Sequence, residues 1–398
     1  MTSHDEPDAM SPLRVYLDQN VYGHLLDRGD WRAHPLAQVL IDAQIKRRAE
    51  VWLSPTHVME LALASDQSRR QHLAEIMLDL SDARRMTAGS DMALVKHFGL
   101  FINDAVPGSF DPEPFLDPYT ATARSLWLGN LALLACGRPI ELGPAVAVVR
   151  RLKLESQLIH ARICAKPDET IAAIVEMIAN FTTTGDPDPL GLSDRSDSEI
   201  QAELAELRAL QARPSRATIT ALQKNRADLC VAYGAVDIGG ALEAVFSQYP
   251  LYLVPTFDVV AVVAGWNGVQ EKYGARSLPA GVSAAVLERR ANFGEVIKVL
   301  NALIRTAAVA DMPVATGRYY CLIRELEVCL NRKEAPTAGA ALDVDHVTAA
   351  LCFDIAVCHD GLLADNLKAF VAKLPGGVQV VANARQLERA IARGALLQ

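Results

Sequence analysis

The sequence predicts an α/β fold: a parallel sheet flanked by helices and split in the chain by a large all-helical insertion. Three observations predict it. Short apolar strands alternate with helices only near the two ends of the chain, and that alternation is the pattern of a parallel sheet. The long stretch between the ends reads almost entirely as helix. Three acids, Asp18, Glu60 and Asp360, each stand at or shortly after a strand end, on the edge where parallel sheets place their ligand sites. The expected organisation is 12–65 for the first part of the sheet domain, 66–310 for the insertion and 311–398 for the second part.

Leu13–Leu26 reads LRVYLDQNVYGHLL. Val15, Tyr16 and Leu17 form a short buried strand, Asp18 ends it, and Val21, Tyr22, Leu25 and Leu26 recur at helical spacing. Trp31–Arg48 follows as an amphipathic helix with a basic end that suits its C-terminal dipole. Val51–Ser54 is the second strand, and SPTHVMELALAS opens a helix with Ser54 or Thr56 as cap and Pro55 in the first turn. Glu60 lies about one turn into it.

A helix is expected over 67–101, then a Pro- and Asp-rich loop over 103–118. Helices follow over 121–137, 144–166 and 167–182, with a loop over 183–197. Ser198–Arg213 is expected as a helix capped by Ser198. Helices over 217–233, 238–247 and 285–309 complete the insertion. Asp311–Gly317 is expected as a break before a helix over 318–331. Near the C-terminus the chain predicts a helix over 343–351, a strand over 353–358, a helix over 362–373, a strand over 377–381 and a last helix over 384–392.

At 398 residues the chain exceeds one small core, so two domains or one domain with a large insertion is expected. A net charge of −8 gives no global sign of a nucleic-acid binder but leaves room for a local basic groove. The seven cysteines form no CxxC pair, which points to buried thiols in a reducing cytoplasm rather than zinc or a disulfide framework. The acidic N-terminus has no signal-peptide pattern. The most apolar run, 251–265, is interrupted by Pro255 and Asp258 and is too short to span a bilayer. A cytoplasmic protein with no membrane partner is expected.

A further acidic group, Asp343 and Asp345, lies on the helix that feeds the strand before Asp360. Carboxylates gathered in one pocket repel one another, and bound Mg²⁺ or Mn²⁺ relieves that repulsion through oxygen ligands. The segments Asp18-Gln19-Asn20 after VYL, Glu60 in SPTHVMEL, and DVDH…FDIAVCHD near the C-terminus resemble the acidic signature of PIN-like ribonuclease domains. The resemblance covers roughly 14–64 and 311–385. It departs from the family at Cys358-His359-Asp360, where the usual threonine is absent, and in the size of the insertion.

The resemblance implies a metal-dependent hydrolysis of RNA phosphodiester bonds. Asp18, Asp343 or Asp345, and Asp360 would hold Mg²⁺ or Mn²⁺. Glu60 would bind a second ion or its water, and Asn20 would orient Asp18 or a phosphate. Asp354 is a further candidate for the third acid, and His346 and His359 for a contact to the phosphate. Arg318, Arg324 and Lys368, with Arg332 and Lys333, are candidate RNA contacts, and the insertion a surface for a protein partner or an oligomer. The plainer readings stand beside these: Asp18 as a helix cap, Glu60 as a solvated acid, His57 as a core histidine rather than a metal ligand, and the basic residues as a solvated helix face. A PIN-like module that binds RNA or protein without cutting is the alternative function.

Overall fold

A computed structural model describes residues 11–87, 89, 93–97, 113–140, 143–170, 172–173, 175–176, 192, 194–210, 216–247, 313–332, 338–359, 361–372 and 378–397. The chain divides into two compact units. The first comprises Met1–Ala88, Thr122–Leu142 and Ala349–Gln398, the second Gly89–Ala121 and Gly143–Thr348. Residues 66–88 and 122–142 therefore group with the sheet, and 311–348 with the helical unit, unlike the boundaries expected at 65 and 311. The expected helix over 285–309, the apolar run 251–265, Lys333 and Asp360 lie outside the described residues.

In chain order the first unit holds β1 (Leu13–Leu17), α1 (Gln19–Leu26), α2 (Pro35–Ile45), β2 (Ala49–Trp52), α3 (Pro55–Leu63) and α4 (Gln67–Leu80). After α4 come α5 (Glu113–Ala135), whose last fourteen residues belong here, then α6 (Gly143–Ala165), α7 (Asp197–Ala209), α8 (Arg216–Ser247), α9 (Pro313–Arg332) and α10 (Ala338–Ala350). The chain returns to the sheet with β3 (Ile355–Val357), α11 (Gly361–Val371), β4 (Gln379–Val381) and α12 (Ala384–Leu397).

The sheet is all-parallel, in the order β2-β1-β3-β4. Val15 stands opposite Val51 on one side and Ile355 on the other, so segments 340 residues apart share one ladder. Val15, Tyr16 and Leu17 are all buried, as expected of a central parallel strand covered on both faces. Complete burial of a side chain such as Leu17 stabilises the unit by about 1.5–3 kcal/mol. Helices α2 and α12 pack on each other, α2 against β2 and α12 against β1, β3 and β4; α4 packs on α1 and α3.

Several boundaries differ from expectation for local reasons. The helix over 67–101 stops at Leu80, because Asp82 and Ala83 adopt left-handed φ of 55° and 49°. Met86 then pairs with Leu53 as a parallel bridge beside the end of β2. Residues 113–118 are helical rather than loop, with Pro114 in the first turn where a missing N–H costs little. Pro313 likewise opens α9 inside the expected break over 311–317. The cap of α7 is Ser196, not Ser198: its N–H donates to Glu199 Oε2 at 2.7 Å in a capping box. Residues 217–247 run as one helix, α8.

The second unit is helical. Leu158, Ile200, Leu204 and Leu207 join α6 to α7, and Ile163, Leu222, Leu229, Cys230, Ile323 and Leu330 join α6, α8 and α9. Arg226 forks onto Glu327 with bonds of 2.7 and 2.9 Å. Arg162 forks onto Glu203 with bonds of 2.7 and 3.0 Å, and Arg195 donates to the same carboxylate. The Arg162 guanidinium holds the Glu203 carboxyl down to about 2, against burial and with help from Arg195. A carboxyl depressed in the folded state adds stability above its ordinary value of 4.5, and that stability is lost as pH falls towards 2. Thermal unfolding followed from about pH 5 to pH 2 is therefore expected to fall more steeply in the wild type than in Glu203→Gln; parallel curves would contradict this. No helix among the described residues is long and apolar enough to cross a membrane.

Candidate functional site

The strand order places a topological switch between β1 and β3: the chain leaves β1 towards β2, then returns to β1's other side as β3. In open α/β sheets the crevice at the carboxyl ends of two such strands is where ligands bind. Asp18 occupies this point. Its backbone N–H donates to the Val357 carbonyl at 2.9 Å, which ties the end of β1 to the end of β3. Asp18 is 1% exposed and sits in the cap position of α1, where the helix dipole favours negative charge. Its carboxylate makes no capping hydrogen bond to α1, so capping does not account for the side chain.

Glu60 comes from α3, which starts beyond β2 on the same sheet edge. One of its carboxylate oxygens is enclosed. The charges of Asp18 and Glu60 both reach the Tyr16 hydroxyl. The buried Tyr16 hydroxyl lies 3.1 Å from Ser54 Oγ. Burial pushes that phenol well above its ordinary range, the Ser54 bond opposes this, and the charges of Asp18 and Glu60 push it further up. The two acids thus act on one buried hydroxyl from two elements.

His57 fixes this arrangement. The Ser54 N–H donates to His57 Nδ1 at 3.0 Å, so Nδ1 carries no proton; Nε2 donates to the Leu17 carbonyl at 2.7 Å. The ring is completely buried and bridges the last residue of β1 to the first turn of α3. Both ring nitrogens are thereby engaged, which gives His57 a structural role rather than that of a metal ligand. The Tyr16 ring lies 5.1 Å from it, and the Tyr22 ring 5.5 Å from it, edge to face. Tyr22 is completely buried, and burial pushes its hydroxyl above the ordinary phenol range.

Asn20 is exposed on α1. Asp354 precedes β3, at the opposite end of the strand from Asp360, and there it accepts the Arg14 N–H at 2.7 Å. It pins the start of β3 to β1, at the sheet edge opposite Asp18. Asp343, Asp345 and His346 belong to the helical unit. Asp345 accepts from Arg318 at 3.2 Å, and the Arg318 guanidinium also stacks over the Tyr319 ring, so these two expected site residues neutralise each other. Asp343 adds to the burial that pushes the Cys321 thiol up. His346 is buried. Arg324 stands 3.6 Å from Glu327 within its own helix. Lys368 is exposed in the last turn of α11, away from the end that follows Asp360.

A histidine group was not legible in the sequence. His24 of α1, His34 at the start of α2 and His359 after β3 pack edge to face, with centroids 5.2 Å apart for His24–His34 and 4.9 Å for His24–His359. Burial, then the His24 charge, lowers both His34 and His359. The three come from distant segments, so no spacing signals them. Among the described residues no group of three or more His, Cys, Asp or Glu is placed to hold a metal ion. No family model matches the chain, nor does any curated protein or solved structure.

Proposed function

We propose that the sheet-bearing unit is a PIN-like ribonuclease that hydrolyses RNA phosphodiester bonds with Mg²⁺ or Mn²⁺ held by Asp18, Glu60 and Asp360. The observation that carries this reading is the use made of Asp18: a buried carboxylate at the switch point, not spent on capping, whose charge, like that of Glu60, acts on the buried Tyr16 hydroxyl. Carboxylates that share one pocket repel each other, and a divalent cation offsets that cost. The donor set fits: carboxylate oxygens suit hard ions of the Mg²⁺ and Mn²⁺ class, and the nearest imidazole, His57, is engaged on both nitrogens.

A bound ion of this class supplies an acidified water and a polarised phosphoryl oxygen. The chain's part is to hold the acids apart from bulk water and in register. The β1–β3 ladder fixes Asp18, and the Ser54–His57–Leu17 bridge fixes α3 and hence Glu60. The reading rests on these residues and not on Asp343 or Asp345.

The test is cleavage of a labelled RNA pool by the full chain and by Asp360→Asn, with Mn²⁺, Mg²⁺ or EDTA. Cleavage with either ion, its loss in EDTA and its loss in the variant are expected. RNA binding without cleavage under all three conditions would overturn the enzyme reading in favour of a non-catalytic RNA-binding module.

A further inference from the structure

The last helix of the sheet-bearing unit, α12, carries a row of arginines that its packing does not use. Leu387, Ala390, Ile391 and Gly394 are its buried positions, and the helix lies against α2 and the sheet. Arg385, Arg389 and Arg393 recur every four residues, and all three are exposed. Helix geometry places them within about 80° of one another, away from the buried stripe and about 6 Å apart along the axis. None of the three has a carboxylate partner among the described residues. Like charges four apart on a helix repel and destabilise it. The row has a direction. Two residues separate β4 from α12, so Arg385 starts at the carboxyl edge of the sheet, the edge that carries Asp18. At the other end Gly394 lies against the side chain of Leu13, the first residue of β1. The Leu13 N–H donates to the Arg48 carbonyl at 2.9 Å, which brings the turn between α2 and β2 to the far end of α12. Arg47 and Arg48 are exposed on that turn, again with no carboxylate partner among the described residues. This arginine surface belongs to a protein whose net charge is −8.

We propose that Arg385, Arg389 and Arg393, continued by Arg47 and Arg48, form a binding surface for the phosphate backbone of RNA outside the acidic site. This rests on the reading of the protein as one that acts on RNA, and not on the metal. It gives that reading a set of cations whose charge is not already spent, whereas Arg318 is paired with Asp345 and Arg324 stands beside Glu327. The guanidinium fork matches phosphate oxygens, and the step along α12 is close to the spacing of successive phosphates on one strand. Contacts of this kind hold and orient a strand without reading its sequence.

The experiment measures the affinity of the full chain for a labelled single-stranded RNA in EDTA, at salt from about 50 to 200 mM. The wild type is compared with a row variant, Arg385→Gln/Arg389→Gln/Arg393→Gln, and a control, Arg138→Gln/Arg216→Gln/Lys224→Gln. The control removes the same charge from other exposed positions. The slope of log affinity against log salt is expected to fall by about 2 in the row variant, so that this rise in salt weakens the wild type about 20-fold more than the variant. The control, and lysine at the three row positions, are expected to keep the wild-type slope. Equal slopes in the row variant and the wild type overturn the inference; a row that is only solvated, or that binds an acidic protein, gives that result. An equal loss in the control overturns it too, since net charge alone then accounts for the effect. Cleavage of RNA with Mn²⁺ is scored separately. Cleavage with equal slopes leaves the nuclease reading standing without this surface, and a slope lost in the row variant without any cleavage leaves the surface standing without the nuclease. Absence of RNA binding by the wild type overturns both.

Discussion

Asp18→Asn is expected to lower Mn²⁺-dependent RNA cleavage by more than about 100-fold, beyond what the loss of an outer partner costs. Asparagine is nearly the same shape, caps helices as well as aspartate does, and keeps the backbone bond to Val357. The substitution therefore changes little except the charge and one oxygen donor. In EDTA the variant is expected to unfold at or slightly above the wild-type temperature, because a buried negative charge is removed. With Mn²⁺ the order reverses: at 100 times its dissociation constant a cation stabilises the wild type by about 2.7 kcal/mol, and the variant loses that gain. A cap alone predicts no change in any of these measurements. Cleavage within a few-fold of wild type, or an unchanged Mn²⁺ shift, would refute the assignment of Asp18.

The sheet was legible because its strands are short apolar runs followed by helices, and because such runs occur only near the chain ends. The order of strands confirms that logic: β1 sits between β2, close in sequence, and β3, far from it. Helix ends were less legible where the signal was not glycine or proline. The stop after α4 uses Asp82 and Ala83 in left-handed conformations, and alanine gives no warning of that.

For the site, the recurrence of strand, acid and helix points to Asp18 and Glu60, and the charges of both act on Tyr16. Nearness in sequence does not by itself place Asp354 on the edge that carries Asp18. It precedes its strand, and in a parallel sheet the beginning and end of a strand lie on opposite edges. The sequence suggests separate roles for Arg318 and Asp345, but these charges, 27 residues apart, pair across two helices. Contacts of this kind, like the His24–His34–His359 group, depend on tertiary packing that no local pattern encodes.

His57→Ala is expected to destabilise the sheet-bearing unit by about 3–5 kcal/mol, the largest single-residue effect on its stability argued from this geometry. The substitution removes two buried hydrogen bonds at once. It leaves the Leu17 carbonyl and the Ser54 N–H without their partner, each at a cost of about 1–3 kcal/mol, and opens a cavity between the Tyr16 and Tyr22 rings. His57→Gln separates the two bonds. Glutamine is a usual capping-box residue at this helical position and can accept from Ser54, but its chain lacks the ring's reach to Leu17, so about half the loss is expected. Chemical unfolding in EDTA checks both variants. If His57 were a metal ligand, the variants would match the wild type in EDTA and differ only when Mn²⁺ is added. The bridge reading requires the reverse: the loss is complete without metal, because Leu17 and Ser54 need His57 whether or not a cation is present.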